Sequence, residues 1–529
     1  MTLYQSLKQY DGSPKTALYF RSESISYSSL IKRVDSYADK LVSLGITENT
    51  VVSILAPNVP ETVIALYALN KIGAIVTILH PLIPPSMLLE SLRETKSWYL
   101  LILDARYHSY ENELKSFPIP VFFLTAYPDL KPLIKLGFKI GYHKSLTSIN
   151  KEKYLYLIQS PKRKFKTNTD DQKPSVYLRS GGTTGKSKTV ILNDTNILYP
   201  GSQSEIILNH DLSNVSMIGL LPMFHGFGLS MGIVAPLMNQ AASCLMIKFN
   251  SNEIIRKIKQ GKLNVLITIP YMTEKLLANK HFKGKMLQKI YATYIGSDKP
   301  DPRLFNHFND LMEEYGSQNR LLEGYGLTET VTVNFVNTLS NNKTGSVGKP
   351  LHQVRFRICK DNDYRNDIGP NKVGQILISS PTVCLGYLNT KQEDQPFYID
   401  ADDTRYLITG DEGYYDSDGY LFFKNREHEV YKIAGYNIFP TDIEQTANKV
   451  KGVKQAVVLF HENKNHPYLS LIIISDKTKD DSVLLIDVKD YLEKKLIKYA
   501  LPEKTFILES LPHTAIGKID KAKLICLGY

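Results

Sequence analysis

Residues 180–188 read Ser-Gly-Gly-Thr-Thr-Gly-Lys-Ser-Lys, a set able to wrap anionic oxygens with backbone amides, two Thr hydroxyls and two ammonium groups. A Walker A loop requires G-x-x-x-x-G-K-S/T. Gly185-Lys186-Ser187 supplies its end, but the first glycine of that pattern falls on Ser180. The flanks differ too. Val176-Tyr177-Leu178 reads as a strand, and Thr189-Val190-Ile191-Leu192 is β-branched and apolar, so it also reads as a strand. Only Asn193-Asp194-Thr195 offers a helix cap. The element is strand–loop–strand: a phosphate loop of a different kind, or a polar hairpin loop.

Four further stretches hold chemistry-bearing side chains. They are Tyr325-Gly326-Leu327-Thr328-Glu329, Tyr406 to Asp411 (YLITGD), Asn425 to Glu444 (NREHEVYKIAGYNIFPTDIE) and Pro512 to Asp520 (PHTAIGKID). Taken singly, each has a plain structural explanation. Glu329 fits a helix cap, Asp411 a turn, and Lys518 a solvated lysine after a flexible glycine.

The elements that must carry these residues follow from periodicity. Leu30, Val34, Tyr37, Leu41 and Leu44 recur at helical spacing, with Gly45 as a stop. Residues 51–55 read as a strand, 61–72 as a helix closed by Gly73, and 74–79 as a strand. This alternation predicts a layered α/β sheet. It returns between 215 and 330. From about 345 to 425 the pattern is strand-rich, with a turn at Asp416-Ser417-Asp418-Gly419. In the last hundred residues, 456–460 and 469–474 read as strands and 483–499 as an amphipathic helix. The expected fold is α/β: a large N-terminal domain (1–425) of layered α/β subdomains plus a strand-rich part, and a small mobile α+β C-terminal domain (426–529).

With 529 residues the chain exceeds a single core, and 43% hydrophobic with 22% charged residues is ordinary for a globular protein. The net charge of +11 suits polyanionic small molecules or an acidic partner. No Lys/Arg-dense stripe with interleaved aromatics is present, which argues against nucleic acid; the run Lys162-Arg163-Lys164-Phe165-Lys166 reads as a solvated linker. Four Cys, all far apart and without metal spacing, predict neither disulfide nor zinc and fit a reducing cytoplasm. The N-terminal residues show no signal-peptide pattern. Residues 212–247 contain no Asp, Glu, Lys or Arg. Pro222, Pro236, four glycines, His225 and Asn239-Gln240 interrupt that run, so it reads as a buried core or pocket element and not as a transmembrane span.

The five stretches, in this order, make the chain resemble the adenylate-forming superfamily: acyl-CoA synthetases, aryl-acid and carrier-protein ligases, peptide-synthetase adenylation domains and beetle luciferases. The resemblance runs nearly end to end. It implies attack of a carboxylate on the α-phosphate of ATP, then transfer of the acyl group from acyl-AMP to a thiol. It implies that Ser180, Gly182, Thr183, Thr184, Gly185 and Lys188 grip the β,γ-phosphates, that Thr328 binds the α-phosphate, and that Glu329 holds Mg2+. Tyr325 would stack on adenine beside Gly324, Asp411 would accept from both ribose hydroxyls, Arg426 would support the ribose and phosphate side, and Lys518 would bridge the carboxylate and α-phosphate.

The resemblance also implies a C-terminal domain that rotates about position 428, here His428, so that Lys518 leaves and Gly435-Tyr436-Asn437 line a thiol tunnel. The acid pocket would involve residues 224–228, 268–271 and 296–298. Amino-acid-activating relatives place an Asp near 225; His225 argues against an α-amino acid, and the apolar 212–247 run favours a fatty or aromatic acid. His225 reads either as a catalytic or pocket group or as a packed core histidine. The sequence departs from the common T-G-x-P-K-G loop at Ser187 and Thr189, and from G-R-x-x-D at Asn425 and Glu429. The thiol is CoA or the phosphopantetheine of a carrier protein; a non-catalytic nucleotide-binding relative is the alternative of another class.

Overall fold

A computed structural model describes the chain except for residues 127–148, 159–163, 181–187, 297–299, 361–362, 427–430, 434–435, 439, 462–466, 497–499 and 515–518. The chain divides into two compact units. The first comprises Met1–Arg355 and Ile378–Leu407, the second Phe356–Leu377 and Ile408–Tyr529.

Two large sheets organise the first unit. One has seven strands in the order Gly386–Tyr387, Thr189–Asn193, Pro174–Arg179, Ile75–Ile78, Val51–Leu55, Tyr99–Leu103 and Val121–Leu124. The five strands from Pro174–Arg179 to Val121–Leu124 are parallel, and four of them read IVTI, VVSIL, YLLIL and VFFL. Helices cover both faces of such a sheet, so the strands are continuously apolar and do not alternate. The helix Pro60–Ile72 between two of them is almost wholly buried and ends at Gly73 in the left-handed conformation, as its sequence predicts.

The other sheet has nine strands, in the order Lys349–Pro350, Val333–Val336, Leu321–Gly326, Ala292–Ile295, Val265–Thr268, Ser216–Gly219, Ala242–Leu245, Thr16–Phe20 and Glu23–Ser26. The uncharged 212–247 run supplies two of its central strands and, between them, a π-helix over Gly228–Val234 whose residues are all buried. It is therefore core, as the sequence predicts. No helix among the described residues is long and apolar enough to cross a membrane.

In the second unit the chain reaches Tyr415, turns at Asp416–Gly419 and returns as Leu421–Arg426, pairing Asp411 with Arg426. A three-stranded sheet follows, made of Val453–His461, Tyr468–Ser475 and Lys504–Leu508. The helices Pro440–Ala447 and Asp481–Lys495 bury Ile443, Ala447, Leu484, Val488 and Leu492 in one cluster with strand residues Val458, Leu471 and Ile473. This is the α+β arrangement expected near the C-terminus. The anticipated hinge residue His428 lies outside the described residues.

Candidate functional site

The expected phosphate loop leaves and re-enters the sheet between two antiparallel strands, with Arg179 paired to Thr189 at its base. β-Branched residues after the loop build the second strand, and Asn193 then caps the helix Asp194–Ser202 through a reciprocal pair of bonds with Asn196. The loop's ends are tied. Ser180 N–H donates to Lys188 O at 2.8 Å, and Lys188 N–H donates to Ser180 Oγ at 3.1 Å. Below the loop Glu94 accepts from Thr189 Oγ1 at 2.6 Å and pairs with Arg179 at 3.3 Å. Gly182, Thr183, Thr184 and Gly185 lie outside the described residues.

Tyr325 and Gly324 end the strand Leu321–Gly326, and Thr328 and Glu329 open a single 3-10 turn, Thr328–Thr330. The turn is closed from within: Thr330, fully buried, accepts from Leu327 N–H at 3.0 Å and donates to Thr332 O at 3.0 Å. Val331 follows at φ 58° and ψ −56°, and Thr332 N–H donates back to Thr330 O at 2.5 Å. This is the rarer, strained γ-turn, in a β-branched residue. Two glycines make room for it. A Cβ on Gly326 would lie 1.5 Å from Thr332 O, and one on Gly226 would lie 1.6 Å from Val331 O. The turn bearing Thr328 and Glu329 is thus packed directly against the Phe224–Gly228 stretch.

In that stretch Phe224 is flanked by two imidazoles, with its ring centroid 4.5 Å from His225 and 4.6 Å from His80. His80 Nδ1 accepts from Leu82 N–H at 2.9 Å, so its proton sits on Nε2. Burial, and then Arg106, hold its pKa below the usual range. His225 is partly buried. Phe227 reaches the expected pocket wall: the Cβ position of Gly296 is 3.4 Å from Phe227 Cε1 and 3.7 Å from Gly324 O. Residues 224–228, 296 and 324 therefore converge. Thr268 does not face that space freely, since its hydroxyl donates to Tyr294 O and accepts from Thr273, and it is buried.

Glu329 is anchored by a residue the sequence reading missed. Tyr387 donates its hydroxyl to Glu329 Oε1 at 2.8 Å, and the Lys188 ammonium lies 4.5 Å from the centroid of the same ring. Glu329 O accepts from Cys384 N–H at 2.8 Å. Burial, and then the charge of Glu329, push the Cys384 thiol up to about 12. Nothing in the sequence spacing marks Tyr387, which follows a glycine in a strand of two residues.

No group of three or more His, Cys, Asp or Glu side chains able to hold a metal occurs among the described residues. The donor set suits Mg2+ all the same: the Glu329 carboxylate is held through one oxygen by Tyr387, whose ring carries Lys188. This cation keeps most of its waters and is bound through one or two carboxylates plus substrate phosphates.

The second unit contains Asp411, Arg426 and Lys518. Asp411 is fully buried, and its N–H donates to Thr409 Oγ1 at 3.1 Å, while Thr409 donates to Ile376 O at 2.7 Å. Arg426 pairs across from it by backbone register. Lys518 and Gly435 lie outside the described residues, and Tyr436–Ile438 forms a strand with Tyr431–Ile433.

A family model described as AMP-binding enzyme matches residues 8–388. The 2-succinylbenzoate–CoA ligase of Oceanobacillus iheyensis is 26% identical over 530 residues, covering 98% of each chain. The long-chain-fatty-acid–CoA ligase of Bacillus subtilis is 24% identical over 535 residues, covering 97% of this chain and 91% of that one. Among solved structures, O-succinylbenzoate coenzyme A synthetase from Bacillus subtilis, in complex with ATP and magnesium ion, is similar in fold, with a TM-score of 0.78 at 20% identity and 99% coverage of each chain.

Proposed function

Because the chain belongs to the AMP-binding enzyme family, the adenylate-forming superfamily that its motifs resemble, we propose that it is an AMP-forming acid–thiol ligase using ATP, Mg2+ and CoA. The observation that carries this reading is the Lys188–Tyr387–Glu329 arrangement. It sets a cation at the base of a phosphate loop and a carboxylate for a hard cation on one aromatic ring.

In the first step a substrate carboxylate oxygen bonds to the α-phosphorus, and the bond to the bridging oxygen breaks, releasing pyrophosphate with its electron pair. One anion attacks another, so positive charge and donors must surround the phosphates. Thr183, Thr184, Gly185 and Lys188, with Ser180 and Gly182 shaping the loop, hold the β,γ-phosphates, and Thr328 donates to the α-phosphate. Glu329 would hold the magnesium ion, which would supply positive charge to offset that of the phosphates. Tyr325 and Gly324 take adenine, Asp411 and Arg426 the ribose, and Lys518 bridges carboxylate and α-phosphate. In the second step the thiol sulfur bonds to the acyl carbon and AMP leaves. The C-terminal domain, 426–529, turns about His428 between the two, withdrawing Lys518.

The acid is aromatic or fatty. Support comes from the contact of His225 with Phe224, the convergence of Phe227, Gly296 and Gly324, and the acids named for the two curated relatives. CoA is favoured over a carrier protein because both of those relatives are CoA ligases. The enzyme acts in the cytoplasm, where buried Cys244, Cys359 and Cys384 and exposed Cys526 remain thiols.

The test is pyrophosphate and AMP release with Mg-ATP across a panel of carboxylic acids, with and without CoA. CoA-accelerated AMP release with one acid class supports the reading. Acid-dependent pyrophosphate release that ignores CoA would transfer the second step to a carrier protein. Tight nucleotide binding without turnover on any acid would point to a non-catalytic relative.

A further inference from the structure

We propose that Tyr387 is a positioning residue that couples the metal-binding carboxylate to the phosphate loop; this rests on the reading of Glu329 as the Mg2+ ligand. Three features place it there. Its hydroxyl donates to Glu329 Oε1 at 2.8 Å, and among the described residues Oε2 has no protein donor. One carboxylate oxygen is thus fixed while the other is left for the metal, as in carboxylates whose outer-shell partner sets their orientation. Its ring carries the Lys188 ammonium at 4.5 Å. Lys188 is the residue whose backbone closes the loop on Ser180.

The main chain at Tyr387 is itself held from two sides. Tyr387 pairs with Val190 and Gly386 with Ile191, on the strand that leaves the phosphate loop. Gln395 clamps it from the other side, accepting from Tyr387 N–H at 2.7 Å and donating to Tyr387 O at 3.1 Å. Leu388 N–H donates to Thr189 O at 2.8 Å. A residue fixed this firmly transmits displacement. If the loop's exit strand moves, the hydroxyl on Glu329 moves with it.

The ring and the hydroxyl have separable tasks. Tyr387→Phe keeps the ring under Lys188 and removes the hydroxyl that bonds Glu329. Tyr387→Leu removes both. The readout is Mn2+ binding by electron paramagnetic resonance, titrated in the presence of α,β-methylene-ATP, alongside binding of that nucleotide without metal. For Tyr387→Phe we expect Mn2+ affinity to fall by about tenfold or more with metal-free nucleotide binding unchanged. For Tyr387→Leu both should weaken. Thermal midpoints within a few degrees of wild type, as expected for Tyr387→Phe, separate these effects from misfolding. Glu329→Gln serves as the reference. Loss of Mn2+ affinity in Glu329→Gln but not in Tyr387→Phe overturns the role of Tyr387 and leaves the metal assignment standing. Unchanged Mn2+ affinity in Glu329→Gln overturns the metal assignment and the coupling with it.

Discussion

Lys518 and Asp194 are both ionisable residues, and the expectations for them run in opposite directions. If Lys518 bridges carboxylate and α-phosphate as proposed, Lys518→Ala should slow pyrophosphate formation by about 3 kcal/mol, or roughly a hundredfold. Thioester formation from synthetic acyl-AMP should be nearly unaffected, and single-turnover measurements of the two steps will distinguish them. Asp194 serves the framework. It is fully buried and accepts from Asn70 Nδ2 at 2.8 and 2.9 Å and from Leu3 N–H at 3.1 Å. Burial outweighs these bonds and pushes its pKa up from 3.8 to about 6.

A carboxyl raised in the folded state contributes stability below its unfolded pKa and loses that contribution as pH rises through the folded one. Relative to Asp194→Asn, the wild type should therefore lose on the order of 3 kcal/mol between pH 4 and about 6. Thermal midpoints of the two proteins across that range will report it. At this scale the sequence was readable where a residue's neighbours in sequence decide its surroundings, as with Asn193 at its cap. It was silent where they do not. Tyr387 meets Glu329 across 58 positions, and the bond between Asn70 and Asp194 spans 124; no local period encodes either.

Among the elements, the turn that presents Thr328 and Glu329 is tightly constrained. Its γ-turn at Val331 persists because Gly226 and Gly326 leave no Cβ in its way. We expect Gly226→Ala to destabilise the protein by about 1–3 kcal/mol, because the obstructing atoms are backbone and must shift. The same change should weaken Mn2+ binding with α,β-methylene-ATP, since the turn carrying Glu329 is displaced. Melting curves and the metal titration check the two effects. The strand–loop–strand around 180–188 was legible because Thr189 to Leu192 cannot start a helix cheaply. The γ-turn was not legible, since Val331 is a poor candidate for positive φ on its own chemistry. Only its close approach to residues a hundred positions away makes it tenable.

For the whole molecule, the division of the chain differs from a simple cut. The first unit takes back Ile378–Leu407 after the chain has entered the second at Phe356. The alternating α/β pattern and the α+β character of the last hundred residues were visible in the periodicity. This return was not, because strands of two residues such as Gly386–Tyr387 are too short to show any. A chain ending at Arg355 would lack Tyr387 and Gln395. We expect it to aggregate, and to bind Mn2+ with α,β-methylene-ATP at least tenfold more weakly in any fraction that stays in solution; light scattering and the titration will show both.

The order of synthesis gives that returning segment a further meaning. The strand Thr189–Asn193 emerges from the ribosome with one hydrogen-bonding edge open, and nearly two hundred residues must follow before Gly386–Tyr387 closes it. Until then the residues paired in the finished fold, Val190 and Ile191, have no partner on that edge. The same short strand that covers the edge delivers the hydroxyl to Glu329. Protection from mispairing and completion of the proposed metal site would therefore be one event in the birth of the molecule.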